Sequence, residues 1–338
     1  LKFYNGIGDD VQRVLDMVHA PMYSKIGITA MEMDIFSLLA VPQTAETLAG
    51  TQSWHTGNTA LFLDAVASLG LLAKESGIYS NTAVADKYLV RGKPDFIGDY
   101  VAAFYRAGLN EGLDLANMVR KGPANEAPVT MENVSFEAMA EMMRRMQAGG
   151  RATEAIEILR GLPEFEGAKK LLDLGCGAGI IGIAAVQEHP TMQGILFDMP
   201  QMENAVRSNI HMQKAEERVR FMGGNYLADD IGTGYDIVLA IGTLNFAKHA
   251  LVPLMKKVHT ALNEGGVLVC VGDGVCNEGT GPRDSLAGWL VSGMQGMDYR
   301  MPRGVIADAG LAAGFRHVQT MAGIATYMGH MDIDILRR

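Results

Sequence analysis

The chain has 338 residues, is 48% hydrophobic and carries a formal net charge of −9, enough apolar mass for a large core and more than one domain. The acidic balance argues against a basic nucleic-acid surface as its main working face. Three cysteines, Cys176, Cys270 and Cys276, are too few and too scattered for a disulfide framework or a zinc knuckle, so a reduced cytoplasmic setting without a structural metal is expected.

The longest apolar run, Leu171–Val186, contains Asp173 and three early glycines and is too short to span a bilayer. No basic-then-apolar segment opens the sequence. Residues 9–40 read as helices. Val11, Val14, Leu15 and Val18 recur at helical spacing before Pro21, and a second run extends from Ile26 to Leu39. Thr44–Ala49 follows, then a turn around Ser53–Gly57 and a helix carrying Leu61, Phe62, Ala65, Val66 and Leu69, ended by Gly70. Leu71–Ala73 and Ile78–Ser80 then form a short hairpin around Glu75-Ser76-Gly77. Helix, helix, hairpin is a winged-helix plan. Yet no Lys or Arg occurs from Ile26 through Ala73, where Glu32, Asp34, Glu46 and Asp64 are acidic. A helix entering a DNA groove needs cations for phosphates and usually Arg for guanine. The module is therefore expected to pack against protein.

Residues 96–165 read as a helical connector between a first domain, 1–95, and a third region, 166–338. Pro123 and Pro128 bracket a loop, Phe136–Met139 opens a long helix, and Gly149-Gly150 interrupts it as a hinge. Beyond Gly167, strands alternate with helices. Strands are predicted at Lys170–Leu174, Gly194–Phe197, Arg218–Met222, Asp236–Ala240, Val267–Val271, Phe315–Met321 and Ile324–Met328. Helices are predicted near Ile180–Glu188, Pro200–Gln213, Phe246–Leu262 and Gly304–Ala313. That succession is α/β, with helices on both faces of a sheet and ligands beyond the strands' carboxyl ends.

The chemistry concentrates in Leu171–Gly179. A strand carrying Asp173 breaks into Gly175, Gly177 and Gly179 before the helix. Glycine lets a backbone turn sharply and a ligand lie against it, and the helix start offers free N–H groups. Dinucleotides and S-adenosylmethionine both use such a turn. Gly177–Gly182 fits G-x-G-x-x-G, and Asp198 lies 21 residues beyond Gly177, near the distance of a ribose-binding acid. The strand, however, ends directly at Gly175, and from there the dinucleotide frame fails at Ile180. Asp173 would repel a pyrophosphate but suits a cationic cofactor. Asp198, Asn225, Tyr226 and Gly242 then follow three consecutive strands. They are placed, in turn, to hold ribose hydroxyls, pair with adenine, pack on it, and leave a gap for a methyl to meet its acceptor. Together these favour S-adenosylmethionine.

Over nearly its whole length the sequence resembles the two-domain small-molecule O-methyltransferases that use S-adenosylmethionine, a family that includes hydroxyindole and caffeate enzymes and antibiotic-tailoring relatives. The resemblance lies in Thr44–Ala49, Asn58–Tyr79, Phe136–Met139, Leu172–Gly179, Phe197–Pro200, Gly224–Tyr226, Asn263–Gly266 and Ala313–Phe315. Residues Ala127–Phe136 are also similar to bacteriochlorophyllide carbon methyltransferases. The resemblance implies a Rossmann-like methyltransferase domain behind a winged-helix domain that forms a homodimer. It places the three glycines along the methionyl part of the cofactor, Asp198 at the ribose, Met199 at the adenine and Met139 nearby. It also puts Trp289, Met294, Met297, Tyr299 and Met301 in the region that builds the acceptor pocket, suggesting an apolar aromatic or polycyclic acceptor.

One position departs from the pattern. Where the family carries a general-base histidine, this chain has Leu244-Asn245-Phe246-Ala247, and a neutral amide cannot take a phenol proton. Asn245 can orient an acceptor, and His249, four residues on, is the substitute base candidate. Three readings follow. Methyl can go to a carbon, thiolate or ionised oxygen by positioning alone; His249 can serve as base; or the fold can host decarboxylation or hydroxylation with the cofactor in a structural role.

Overall fold

The computed structural model describes residues 9–108, 115–122 and 135–338. The chain divides into two compact units, 1–107 and 108–338.

In the first unit α1 (Asp9–Glu32) runs through Pro21 rather than ending there. A proline inside a helix removes one amide hydrogen and crowds the carbonyl four residues back. That carbonyl belongs to Met17, on an exposed stretch of α1 where water can satisfy it. The break comes instead at Asp34, which adopts a left-handed φ of 56° before α2 (Ile35–Leu38). After β1 (Gln43–Thr44), α3 (Ala45–Gln52) is capped by the Thr44 hydroxyl, which accepts the Thr47 N–H at 3.2 Å. Then come α4 (Thr56–Ser68), β2 (Leu72–Glu75) and β3 (Ile78–Asn81). Ser76 and Gly77 both take positive φ, the tight turn that matches strand twist. β1 pairs with β3, a third strand that the sequence reading did not include. The unit closes with α5 (Ala83–Tyr88) and α6 (Gly98–Gly108) around a core that includes Phe36, Leu48, Leu63, Val66 and Tyr79.

The second unit begins with α7 (Leu115–Lys121) and α8 (Phe136–Met146). The expected loop at Pro123–Pro128, and most of Ala127–Phe136, lie outside the described residues. A wider turn over Gln147–Arg151 joins α8 to α9 (Ala152–Arg160) and breaks the helical path at Gly149 and Gly150. A Cβ on Gly150 would lie 2.5 Å from the Tyr327 ring, so the interruption is a packed bend.

The sheet elements are β4 (Lys170–Leu174), α10 (Ile180–Glu188), β5 (Gln193–Asp198), α11 (Glu203–Met212), β6 (Val219–Gly223), β7 (Tyr235–Ile241), α12 (Leu251–Ala261), β8 (Leu262–Gly272), α13 (Arg283–Met294), α14 (Val305–Ala313), β9 (His317–Thr326) and β10 (Gly329–Arg337). The strand order is β6-β5-β4-β7-β8-β10-β9. β4 to β8 are parallel, and β10 is antiparallel to both neighbours. Leu171, Leu196, Ile237 and Val269 face one layer, with α9, α10 and α11. Leu172, Phe197, Val238 and Leu268 face the other, with α12 and α14.

Two expectations change at the C-terminal end. The segments predicted as strands at 315–321 and 324–328 merge into β9, and β10 follows where none was predicted. Asp332 and Asp334 hide that strand, because buried carboxylates read as surface. Arg303 neutralises Asp332 through a 2.8 Å contact, and Thr320 donates to Asp334. Helix α13 was likewise unpredicted, although it carries Trp289 and Met294.

Candidate active site

Parallel strands β4 to β8 bring their carboxyl ends to one edge of the sheet, and the chain order reverses between β4 and β7, the crevice where such sheets bind ligands. Each sequence-derived site residue except Met139 and those of the 289–301 region follows one of these strands or sits at its end.

After β4, a Cβ on Gly175 would lie 2.5 Å from the Thr243 side chain, so this glycine lets the β4 and β7 loops touch. A Cβ on Gly177 would lie 3.0 Å from Met143 Sδ and 3.1 Å from Gln147 Nε2. Both glycines, and Gly179, have positive φ. The buried Gln147 amide donates to the Cys176 carbonyl at 2.9 Å and accepts the Ile180 N–H at 3.0 Å, satisfying a first-turn amide of α10. Met139 packs half-buried in the same layer.

Asp173 sits on the α10 side of the sheet at a position otherwise suited to a core residue. Its carboxylate accepts the Gly182 N–H at 3.0 Å. Burial raises its pKa to about 7, the nearby Asp198 charge adds to that rise, and Arg151 opposes it. Asp198, at the end of β5, accepts the Gly177 N–H and the Met199 N–H, each at 2.7 Å. Burial raises its pKa against those two hydrogen bonds. Met199 is half-buried beside it.

Asn225 lies exposed after β6. Its side-chain oxygen accepts the Leu227 N–H at 3.0 Å while its own N–H reaches Asp229 at 2.8 Å, the contacts of a polar turn. Tyr226 is half-buried, its hydroxyl 3.4 Å from the Thr243 carbonyl, and burial pushes its pKa to about 12. After β7, a Cβ on Gly242 would come within 3.4 Å of Arg151 Nη2, so a buried guanidinium borders this gap.

Asn245 and His249 part company. Their segment, Leu244–Ala250, is a 3-10 helix, with about three residues per turn, so positions four apart do not share a face. Asn245 is 2% exposed, whereas His249 is exposed to solvent. The Asn245 amide nitrogen donates to Asp273 Oδ2 at 2.6 Å and to the Tyr299 carbonyl at 2.9 Å. Asp273 follows β8 and also accepts from Trp289 Nε1 at 3.0 Å and the Met301 N–H at 3.3 Å. Burial pushes its pKa up, and these donors oppose that shift. Phe246, Trp289 and Tyr299 form a ring cluster with centroids 4.9 to 6.0 Å apart. Met294 and Met297 are half-buried, and Met301 is in the core beneath the sheet.

Three residues of this arrangement escaped the sequence reading: Gln147, Arg151 and Asp273. The signal for Asp273 was present, since an acid directly after an apolar strand is the pattern that identified Asp198. Arg151 directly follows the glycine pair, where a buried cation had no local signature. Among the described residues no group of three His, Cys, Asp or Glu side chains could hold a metal, and no helix is long and apolar enough to cross a membrane.

The O-methyltransferase domain family matches residues 115–296, and the O-methyltransferase dimerisation domain matches residues 15–91. Acetylserotonin O-methyltransferase of Rattus norvegicus is 28% identical over 328 residues, covering 92% of this chain and 74% of that protein. The tetracenomycin polyketide synthesis 8-O-methyl transferase TcmO of Streptomyces glaucescens is 26% identical, covering 91% and 92%. The structure of human N-acetylserotonin methyltransferase in complex with SAM superimposes with a TM-score of 0.76 at 18% identity, covering 99% of each chain.

Proposed function

This chain belongs to the O-methyltransferase family, whose methyl donor is S-adenosylmethionine, and we propose that it methylates a small aromatic acceptor by positioning, with no protein base at the usual place. The observation that carries this reading is Asn245. It is a buried amide with both hydrogens engaged by Asp273 and Tyr299, and His249, the substitute candidate, is exposed to solvent.

The residues suit the cofactor. Gly175, Gly177 and Gly179 hold positive φ and let the turn pack against Thr243, Met143 and Leu196, and a backbone turn without side chains is a surface the methionyl chain can lie against. Arg151 and Asp173 offer charges opposite to its carboxylate and to its cationic centres. Each Asp198 oxygen accepts one N–H, leaving a lone pair on each for a ribose hydroxyl. Met199, Tyr226 and Met139 supply apolar surface for the adenine end, and Asn225 a polar edge. Gly242 keeps the space between donor and acceptor open.

When bound, S-adenosylmethionine would supply an activated methyl group for the acceptor, with Gly175, Gly177, Gly179 and Asp198 holding it at the strand ends. The protein's part is to align acceptor and methyl within a shielded pocket, a contribution that by itself reaches about 7–11 kcal/mol in well-oriented systems. Phe246, Trp289 and Tyr299 provide the flat aromatic walls. Met294 and Met297 are the adaptable apolar groups of the same region.

The test is incubation with methyl-labelled S-adenosylmethionine and a metabolite extract. Label in a small aromatic product, with S-adenosylhomocysteine formed in equal amount, supports the reading. Loss of carboxyl or gain of oxygen in an unlabelled product would assign the fold's decarboxylase or hydroxylase chemistry instead.

A further inference from the structure

We infer that Asp273 is a positioning residue that locks the Asn245 carboxamide, so that the pocket recognises an aromatic acceptor through a hydroxyl or ring N–H that stays protonated at this contact.

The orientation of an amide is ordinarily ambiguous, because its nitrogen and oxygen have similar shape. Here the neighbours decide it. One side of Asn245 meets two acceptors, Asp273 Oδ2 at 2.6 Å and the Tyr299 carbonyl at 2.9 Å. Turning the amide over would set its oxygen against both, leaving three buried oxygens without a hydrogen between them. Asp273 cannot itself yield, since Trp289 Nε1 and the Met301 N–H hold it from other directions. Both amide hydrogens are therefore spent within the protein. Among the described residues, Asn245 Oδ1 accepts no hydrogen bond.

Asn245 Oδ1 is not among the enclosed atoms that lack a partner, so it reaches open space, where it can accept from a ligand donor. It lies in a residue flanked by the ring cluster of Phe246, Trp289 and Tyr299, so the fitting ligand is a flat ring bearing O–H or N–H. A phenolate oxygen in that place would face Asn245 Oδ1, with the Asp273 carboxylate just behind it. The hydrogen-bonded group accordingly keeps its proton, and the methylated atom is a neighbouring one on the same acceptor.

This rests on the reading of the site as an acceptor pocket, and it is tested without a methyl donor so that the two can fail separately. The chain has two tryptophans, so a Trp54→Phe background leaves Trp289 as the sole indole and an in-site reporter. Quenching by 4-nitrophenol and by its methyl ether, 4-nitroanisole, is titrated at a pH where the phenol is neutral. The parent should bind the phenol about tenfold more tightly than the ether. Asn245→Leu should bring that ratio to about one. In Asp273→Asn, one oxygen must serve either Trp289 or the Asn245 and Met301 donors and carries no charge, so the hold on the Asn245 amide weakens. The phenol should then weaken and the ether tighten, each by about threefold. Equal affinity for the two probes in the parent, or no saturable quenching by either, would overturn the inference. So would equal weakening of both in Asp273→Asn, the outcome of a purely structural role. If Asp273→Asn does not fold, the Asn245→Leu ratio decides.

Discussion

The amide of Gly177 lies 2.7 Å from the Asp198 carboxylate, tying the end of β5 to the glycine turn that follows β4. One acid thus organises the loop and keeps lone pairs for a ligand. Asp198→Ala removes both functions. Hydrogen bonds to a charged group contribute about 1.5–3 kcal/mol, so S-adenosylmethionine affinity should fall by about one to two orders of magnitude, read by calorimetry. Asp198→Asn retains one acceptor oxygen and should fall between the two.

Asp173 makes stability depend on pH with an unusual sign. Its carboxyl titrates near 7 in the folded chain against about 3.9 unfolded. Between those values the folded state holds a proton that the unfolded state has lost, so stability declines as pH rises from about 4 to about 7 and levels off above. The full penalty is about 4 kcal/mol. Asp173→Asn keeps an acceptor for the Gly182 N–H and removes the penalty. Without cofactor, it should raise Tm above about pH 7 and leave it unchanged near pH 4. A Tm gain that is the same at both ends of the range would show that Asp173 is not the titrating group.

His249 is exposed, on a different face of the 3-10 helix from the buried Asn245. His249→Ala should therefore keep about half or more of the turnover with the true acceptor. General bases contribute about a hundredfold or more, so a loss on that scale would make His249 the base and end the base-free account.

The part of the chain matching the dimerisation domain, residues 15–91, exposes Met17 at 74% and Met22 at 62% on α1, with Val18 and Tyr23 between and beside them. Large exposed apolar side chains within a region matching a dimerisation domain are expected to lie at its interface. Replacing Met17 and Met22 together by Glu should convert a homodimer to a monomer by light scattering, with helical content preserved. A parent protein that is already monomeric would contradict the assignment.

Much of this site was legible because its signals are local. Glycines at 175, 177 and 179 and an acid at 198 each declare a turn or a strand end within a few residues. The wing hairpin announced itself through Ser76-Gly77 in the same way. What stayed hidden depends on partners far along the chain. Asp332 belongs in a buried strand because Arg303 and the Gly323 N–H lie against it. The orientation of Asn245 is set by residues 28 and 54 positions away. Pro21 misled for the opposite reason: its local preference is strong, but an exposed helix tolerates the lost hydrogen bond.

The most direct test of the central claim is calorimetric titration of the purified chain with S-adenosylmethionine, S-adenosylhomocysteine and NAD. The first two should bind saturably at one site per chain, with NAD far weaker. Tight NAD binding with no heat from either methionine derivative would contradict it.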